Sequence, residues 1–119
     1  MSVPAFSASD AVSSVLSAAL DGLSMRQRVI ADNIANIDTP GFRATSVDFE
    51  SSLRAAISSG DPGQLGVATL ATDTPVGPNG NNVDLRKETV AAMQSQFQYQ
   101  MMTRAVSDRF DILRISAGA

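Results

Sequence analysis

The sequence predicts a mainly α fold: an elongated antiparallel two-helix coiled-coil hairpin made by the N- and C-terminal segments, with an irregular middle that holds one short helix and a Gly/Pro-rich flexible loop. Three observations predict it. Apolar residues recur at helical spacing in both end segments, while glycine and proline gather in the middle. Aromatic residues make up only 5% of 119 residues, which leaves few large side chains to fill a globular core and favours a thin, elongated single domain.

The first helix is expected over 8–37. Ser7 or Ser9 can cap it, Asp10 suits the positive end of the helix dipole, and no proline occurs between Pro4 and Pro40. Leu16, Leu20, Leu23, Ile30, Ile34 and Ile37 follow steps of four and three, with Gln27 as the one polar member, so the seam is narrow enough for a coiled coil. Gly22 inside this pattern costs about 1 kcal/mol relative to alanine.

The stretch 38–59 is read as a turn, an extended segment and a short helix. Proline disfavours helix at Thr39, and Pro40-Gly41 suits the central positions of a type II turn, where glycine accepts positive φ. Phe49, Leu53 and Ile57 lie four apart and mark the short helix. The flexible loop is placed at 60–82, which contains five of the eight glycines, three of the five prolines and no Lys or Arg.

The last helix is expected over 83–117, opened by Asn82 or Asp84 as cap, with Glu88 in its first turn and Arg109 and Arg114 towards its end. It carries two apolar stripes. Val90, Met93, Phe97 and Met101 form one; Tyr99, Met102, Val106, Phe110 and Leu113 form the other, more than a quarter turn away. One partner helix needs one stripe, so a second stripe points to a further partner, most simply another copy of the chain.

Composition narrows the function. Without His or Cys the usual zinc and iron ligand sets cannot be assembled, nor can a Ser or Cys nucleophile with a His base. Asp32, Asp38 and Asp48 offer carboxylates, but no pocket is indicated and local capping explains Asp38 and Asp48. A net charge of −3 lacks the footprint of a nucleic-acid binder. No run approaches the roughly 20 apolar residues of a membrane span. The N-terminus has neither the basic start nor the continuous apolar middle of a cleaved signal peptide. No enzymatic activity, cofactor or metal is expected. Amphipathic helices alone fit either a polymerising subunit or a secreted coiled-coil adaptor or effector that does not polymerise.

One constellation separates these two: Asn33-Ile34-Ala35-Asn36-Ile37-Asp38-Thr39-Pro40-Gly41-Phe42. On local physics it is a helix stop. With Arg28, Val29 and Ala31 it closely resembles the N-terminal signature of the flagellar axial proteins, the rod, hook and hook-associated subunits. Val47-Asp48-Phe49 with Leu53, Asn82-Val83-Asp84, Gln98-Tyr99-Gln100 and the short middle resemble the proximal rod members in particular. The likeness covers both ends and fails over 60–82. Ile37, Phe42 and the single Lys87 depart from the commoner residues of that family.

The resemblance implies a structural subunit of the bacterial flagellar basal-body rod that stacks helically, transmits torque and encloses the export channel. It implies the rod, in the periplasm or cell-wall space, as location, reached by flagellar type III export without a cleaved signal. The implied partners are other copies of the chain, other rod proteins, the adaptor between rod and membrane ring, and the export apparatus. Assembly contacts are expected at Asn33, Ile34, Asn36, Asp38, Thr39, Pro40, Gly41, Phe42, Asp48, Phe49, Val83 and Asp84, and along the second stripe, Tyr99, Met102, Val106, Phe110 and Leu113.

Overall fold

A computed structural model describes residues 5–60 and 66–118, with side chains from residue 11 onward. The chain forms α1 (Ala5–Ala35), β1 (Thr45–Val47), α2 (Phe49–Ser58), β2 (Thr69–Ala71) and α3 (Leu85–Gly118). Its extents are 63 × 27 × 14 Å. The 34 residues of α3 account for about 51 Å of the long axis at ~1.5 Å per residue. This is the elongated helical hairpin that the periodicity predicts, with the addition of a small sheet.

α1 and α3 run antiparallel. Asn33 near the end of α1 bonds Glu88 near the start of α3, and Arg26, two turns earlier in α1, bonds Gln98, almost three turns further along α3. The apolar stripe of α1 faces inward: Leu23 and Ile30 are buried, and Leu16, Leu20, Ile34 and Ile37 are partly buried. Ala19, Leu23, Val47 and Phe49 form the core, and Met25, Val29, Leu53, Val67, Tyr99 and Met102 pack against it. Burying a side chain such as Phe49 contributes roughly 1.5–3 kcal/mol.

Gly22 has a packing reason. A Cβ built there would lie 2.7 Å from Cγ of Phe49, so only glycine lets the ring settle on the helix backbone. The cost in helix propensity is offset by the burial it allows.

The ends of α1 differ from expectation. The helix is already formed at Ala5, so Ser7 and Ser9 lie inside it and Asp10 lies beyond the first turn; their side chains are outside the described residues. It stops at Ala35, two residues early, because Asn36 diverts the backbone into a turn held by Thr39 N–H to Asn36 O at 3.0 Å. In α3 the last turn holds no basic residue, since the helix continues past Arg114 to Gly118.

The middle holds more order than its composition suggests. β1 and β2 pair antiparallel in the register Thr45↔Ala71, Ser46↔Leu70 and Val47↔Thr69. The ladder continues as Thr72 N–H and its hydroxyl both donate to Ala44 O, at 3.2 and 2.6 Å. Part of the stretch read as flexible loop is therefore a strand, while 61–65 lies outside the described residues. Three residues whose side chains are all exposed give no alternating pattern to detect.

Candidate assembly site

The turn that ends α1 is built as its residues dictate. Asn36 Nδ2 donates to Asp32 O at 2.9 Å, and Thr39 Oγ1 donates to Asn36 Oδ1 at 3.0 Å, so one side chain both closes the helix and shapes the turn beyond it. Phe42 N–H then donates to Thr39 O at 3.2 Å across Pro40-Gly41, with Gly41 at φ +77°, the positive value a type II turn needs. Asp38, Thr39, Pro40 and Gly41 are exposed; Ile34 and Phe42 are half-buried.

A second turn, Gly77 to Gly80, closes over the first. Gly80 N–H donates to Gly77 O at 2.9 Å, and Gly41 N–H donates to Asn79 O at 2.9 Å. Asn81 is the clasp: its Nδ2 donates to Asn36 O and Thr39 O, both at 2.8 Å, while its Oδ1 accepts from Val83 N–H at 2.7 Å. Asn82 Oδ1 accepts from Ala44 N–H at 2.6 Å, and its own N–H donates to Phe42 O at 3.3 Å. Both asparagines are buried, and the contacts they make satisfy backbone groups that neither turn could satisfy alone.

Beneath this latch lies a buried polar contact between the helices. Asn33, 1% exposed, donates from Nδ2 to Thr45 O at 2.7 Å and to Glu88 Oε1 at 3.1 Å, and its Oδ1 accepts from Thr45 N–H at 3.3 Å. Asp84 caps α3 by accepting Lys87 N–H at 3.2 Å, and half-buried Val83 precedes it. Asn82 does not cap; it is spent on Ala44.

Phe49 and Asp48 serve the fold. Asp48 caps α2, and its hydrogen bonds with Ser51 hold its carboxyl below the usual carboxylate range. Arg26 lies over the Phe49 ring at 4.7 Å, donates to Val47 O at 2.7 Å and pairs with Glu50 at 2.6 Å. Partial burial pushes the Glu50 carboxyl up, but the Arg26 hydrogen bond leads the opposing contributions that hold it below its ordinary value.

The two stripes of α3 part company. Tyr99 and Met102 pack on the hairpin's own core, and Val106 and Leu113 are half-buried; of the second stripe only Phe110 is exposed. Val90, Met93 and Phe97 of the first stripe point away from α1, and Met101 lies at the edge between the two faces. Val90, Met93, Phe97 and Met101 are 49% to 68% exposed, and Ile112 and Ile115 extend the row to 70%. At 100° per residue these six fall within an arc of about 100°, opposite buried Glu88 and Ser95. Buried Ser95 and Tyr99, which packs on the core, mark the face on which α3 meets the rest of the hairpin. Met101 also borders an open apolar groove of about 420 Å³ lined by Ala19, Leu23, Phe49, Leu53 and Met102.

Gly22, Arg26, Asn81, Asn82 and Glu88 escape a reading of the sequence because their partners lie far along the chain, 72 residues away for Arg26 and Gln98. A glycine inside a strong helical pattern is the one local signal among them. Among the described residues no cluster of acidic side chains could hold a metal ion, and no helix is long and apolar enough to cross a membrane.

Comparison with known proteins gives a consistent result. A family described as "Flagella basal body rod protein" matches residues 15–43, the segment that contains the inward stripe of α1 and the whole first turn. The chain is 35% identical to the flagellar basal body rod protein FlgB of Borreliella burgdorferi, over 81% of this chain and 87% of the relative. It is 35% identical to the FlgB of Bacillus subtilis, over 81% and 84%, and 33% identical to that of Escherichia coli, over 75% and 80%.

Proposed function

We infer how a chain that belongs to the FlgB family of flagellar basal body rod proteins, and is a structural subunit of that rod, divides its surface between folding and assembly. The inner face of α3 holds the hairpin, and the outward row from Val90 to Ile115 meets neighbouring subunits in the proximal rod. Association of this kind is driven by removing apolar area from water, and this row offers six exposed apolar side chains aligned on one helix face. The observation that carries the reading is that exposed row on a chain related to FlgB over four-fifths of its length.

In this reading the turn from Asp38 to Phe42, held by Asn33, Asn36, Asn81 and Asn82, fixes the angle at which the middle segment leaves the hairpin, and the exposed groups of the turn contact the adjacent protomer. The neighbours are other copies, other rod proteins and, at the base, the adaptor to the membrane ring and the export apparatus. The subunits stack around the channel and carry torque in the periplasmic space. The role is mechanical, with no catalytic step.

The test is Phe97→Asp beside Met93→Asp. Both variants should fold and be exported normally yet fail to appear in purified basal bodies, leaving cells non-motile; wild-type swimming would overturn the assignment of this row. Circular dichroism of the isolated subunit should show helicity rising when a rod partner is added.

A further inference from the structure

We propose that Asn79–Gly80 is a covalent modification site: the asparagine deamidates through a succinimide, and the latch between the two turns controls the rate. Of the five asparagines, only Asn79 precedes a glycine, whose lack of a side chain leaves its amide nitrogen open to ring closure. Asn79 is exposed, so the water that the reaction consumes has access.

The reaction needs nothing beyond water and hydroxide. The Gly80 amide gives up its proton to base and its nitrogen attacks Cγ of Asn79. A bond forms between Gly80 N and Cγ, and the bond from Cγ to Nδ2 breaks, the nitrogen leaving as ammonia with a proton from solvent. Water then opens the five-membered imide at either carbonyl, giving aspartate or isoaspartate. No oxidation or reduction takes place.

In the closed latch every participant is restrained. Gly80 N–H donates to Gly77 O at 2.9 Å, which ties down the nucleophile and raises the cost of removing its proton. Asn79 Oδ1 accepts from Asn81 N–H at 3.2 Å, which fixes the electrophilic carboxamide in a local turn. Asn79 O is held by Gly41 N–H at 2.9 Å. Closing the imide requires the first two bonds to break, so the reactive state is the one in which residues 77–82 have lifted away, a local opening of the kind that exposed, loop-borne hydrogen bonds permit. The consequence is one-way. In isoaspartate the main chain runs through the former side chain and gains one carbon before Gly80, while the carbonyl that received Gly41 N–H becomes a free carboxylate. A subunit that carries isoaspartate at position 79 no longer has the main-chain path on which the latch is built, whereas one that carries aspartate keeps it.

Deamidation at this site is independent of the assembly face proposed above. The full chain is incubated at 37 °C, folded in buffer at mildly alkaline pH and unfolded in urea at the same pH, and peptides are mapped for isoaspartate. Asn79 should be the dominant site in urea and react at least about ten-fold more slowly when folded. Asn81→Ala should recover much of that difference. Asn81→Asp, which keeps the acceptor for Val83 N–H but sets a carboxylate oxygen against the Asn36 and Thr39 carbonyls, should accelerate the reaction at least as much as Asn81→Ala. Asn79→Gln should abolish the signal. No isoaspartate at Asn79 in urea, equal folded and unfolded rates, or a signal that survives Asn79→Gln would each overturn the proposal.

Discussion

The two ends of the hairpin differ in kind. At the turn end, Asn33, Asn36, Asn81, Asn82 and Glu88 meet their hydrogen bonds within the chain, and only the rim from Asp38 to Gly41 is exposed. Along the outer face and free end of α3, Met93, Phe97, Ile112 and Ile115 are apolar and uncovered. The first region is complete within one chain. The second leaves apolar side chains open to solvent, and on the assignment proposed above they are covered only when subunits meet.

Mutations that break the complete region should cost the isolated chain most. Phe49→Ala removes the ring that joins α1, β1 and α2 and opens a cavity against Gly22; a loss of about 3–4 kcal/mol is expected in chemical denaturation. Asn33→Ala leaves Glu88 and both Thr45 backbone groups unanswered and should cost about 3 kcal/mol, or a fall in melting temperature of roughly 10 °C. Asn81→Ala strips the clasp, and about 1–2 kcal/mol should go with it, together with faster hydrogen exchange at Gly41 N–H.

Acid provides a gentler probe. The Glu50 and Asp48 carboxyls are held below their unfolded values, so the unfolded chain binds protons first as pH falls. Their contribution is present above about pH 4 and fades below it as the folded carboxyls protonate, by a small amount because Glu50 is half-exposed. Denaturation curves collected between pH 7 and pH 3 should show this, and Glu50→Gln should flatten the acid limb.

At the bottom of the scale, Phe97→Ser should leave the stability of the lone subunit unchanged within about 0.5 kcal/mol while weakening assembly. A large loss of monomer stability in this variant would erase the contrast between the two regions. Ser95→Ala gives a finer measure on the inner face. Its hydroxyl is fully buried without a hydrogen-bond partner, so the substitution should be neutral or slightly stabilising.

The features legible in the sequence are those whose causes are local. Helical spacing reveals α1, α2 and α3, Pro40-Gly41 reveals its turn, and the α3 cap is narrowed to Asn82 or Asp84, of which Asp84 serves, because each depends on residues within a few positions. Which stripe of α3 turns inward depends on where small Ser95 meets α1, and no local pattern carries that. The clasp at Asn81 and Asn82 is hidden for a different reason. Its composition reads as loop, yet its side chains replace the ladder that a longer sheet would have provided, bonding to backbone up to 45 residues away.

Gly80 faces Gly41 so closely that a Cβ on the former would lie 3.2 Å from the Cα of the latter. Where the two long helices are yoked at the turn, main chain therefore bears directly on main chain, with no side chain between to rotate or compress. The contact is made by peptide groups that are themselves planar, held by Gly41 N–H to Asn79 O at 2.9 Å. The joint that sequence composition marks as the softest part of the chain is, while the latch is closed, a bearing of backbone on backbone.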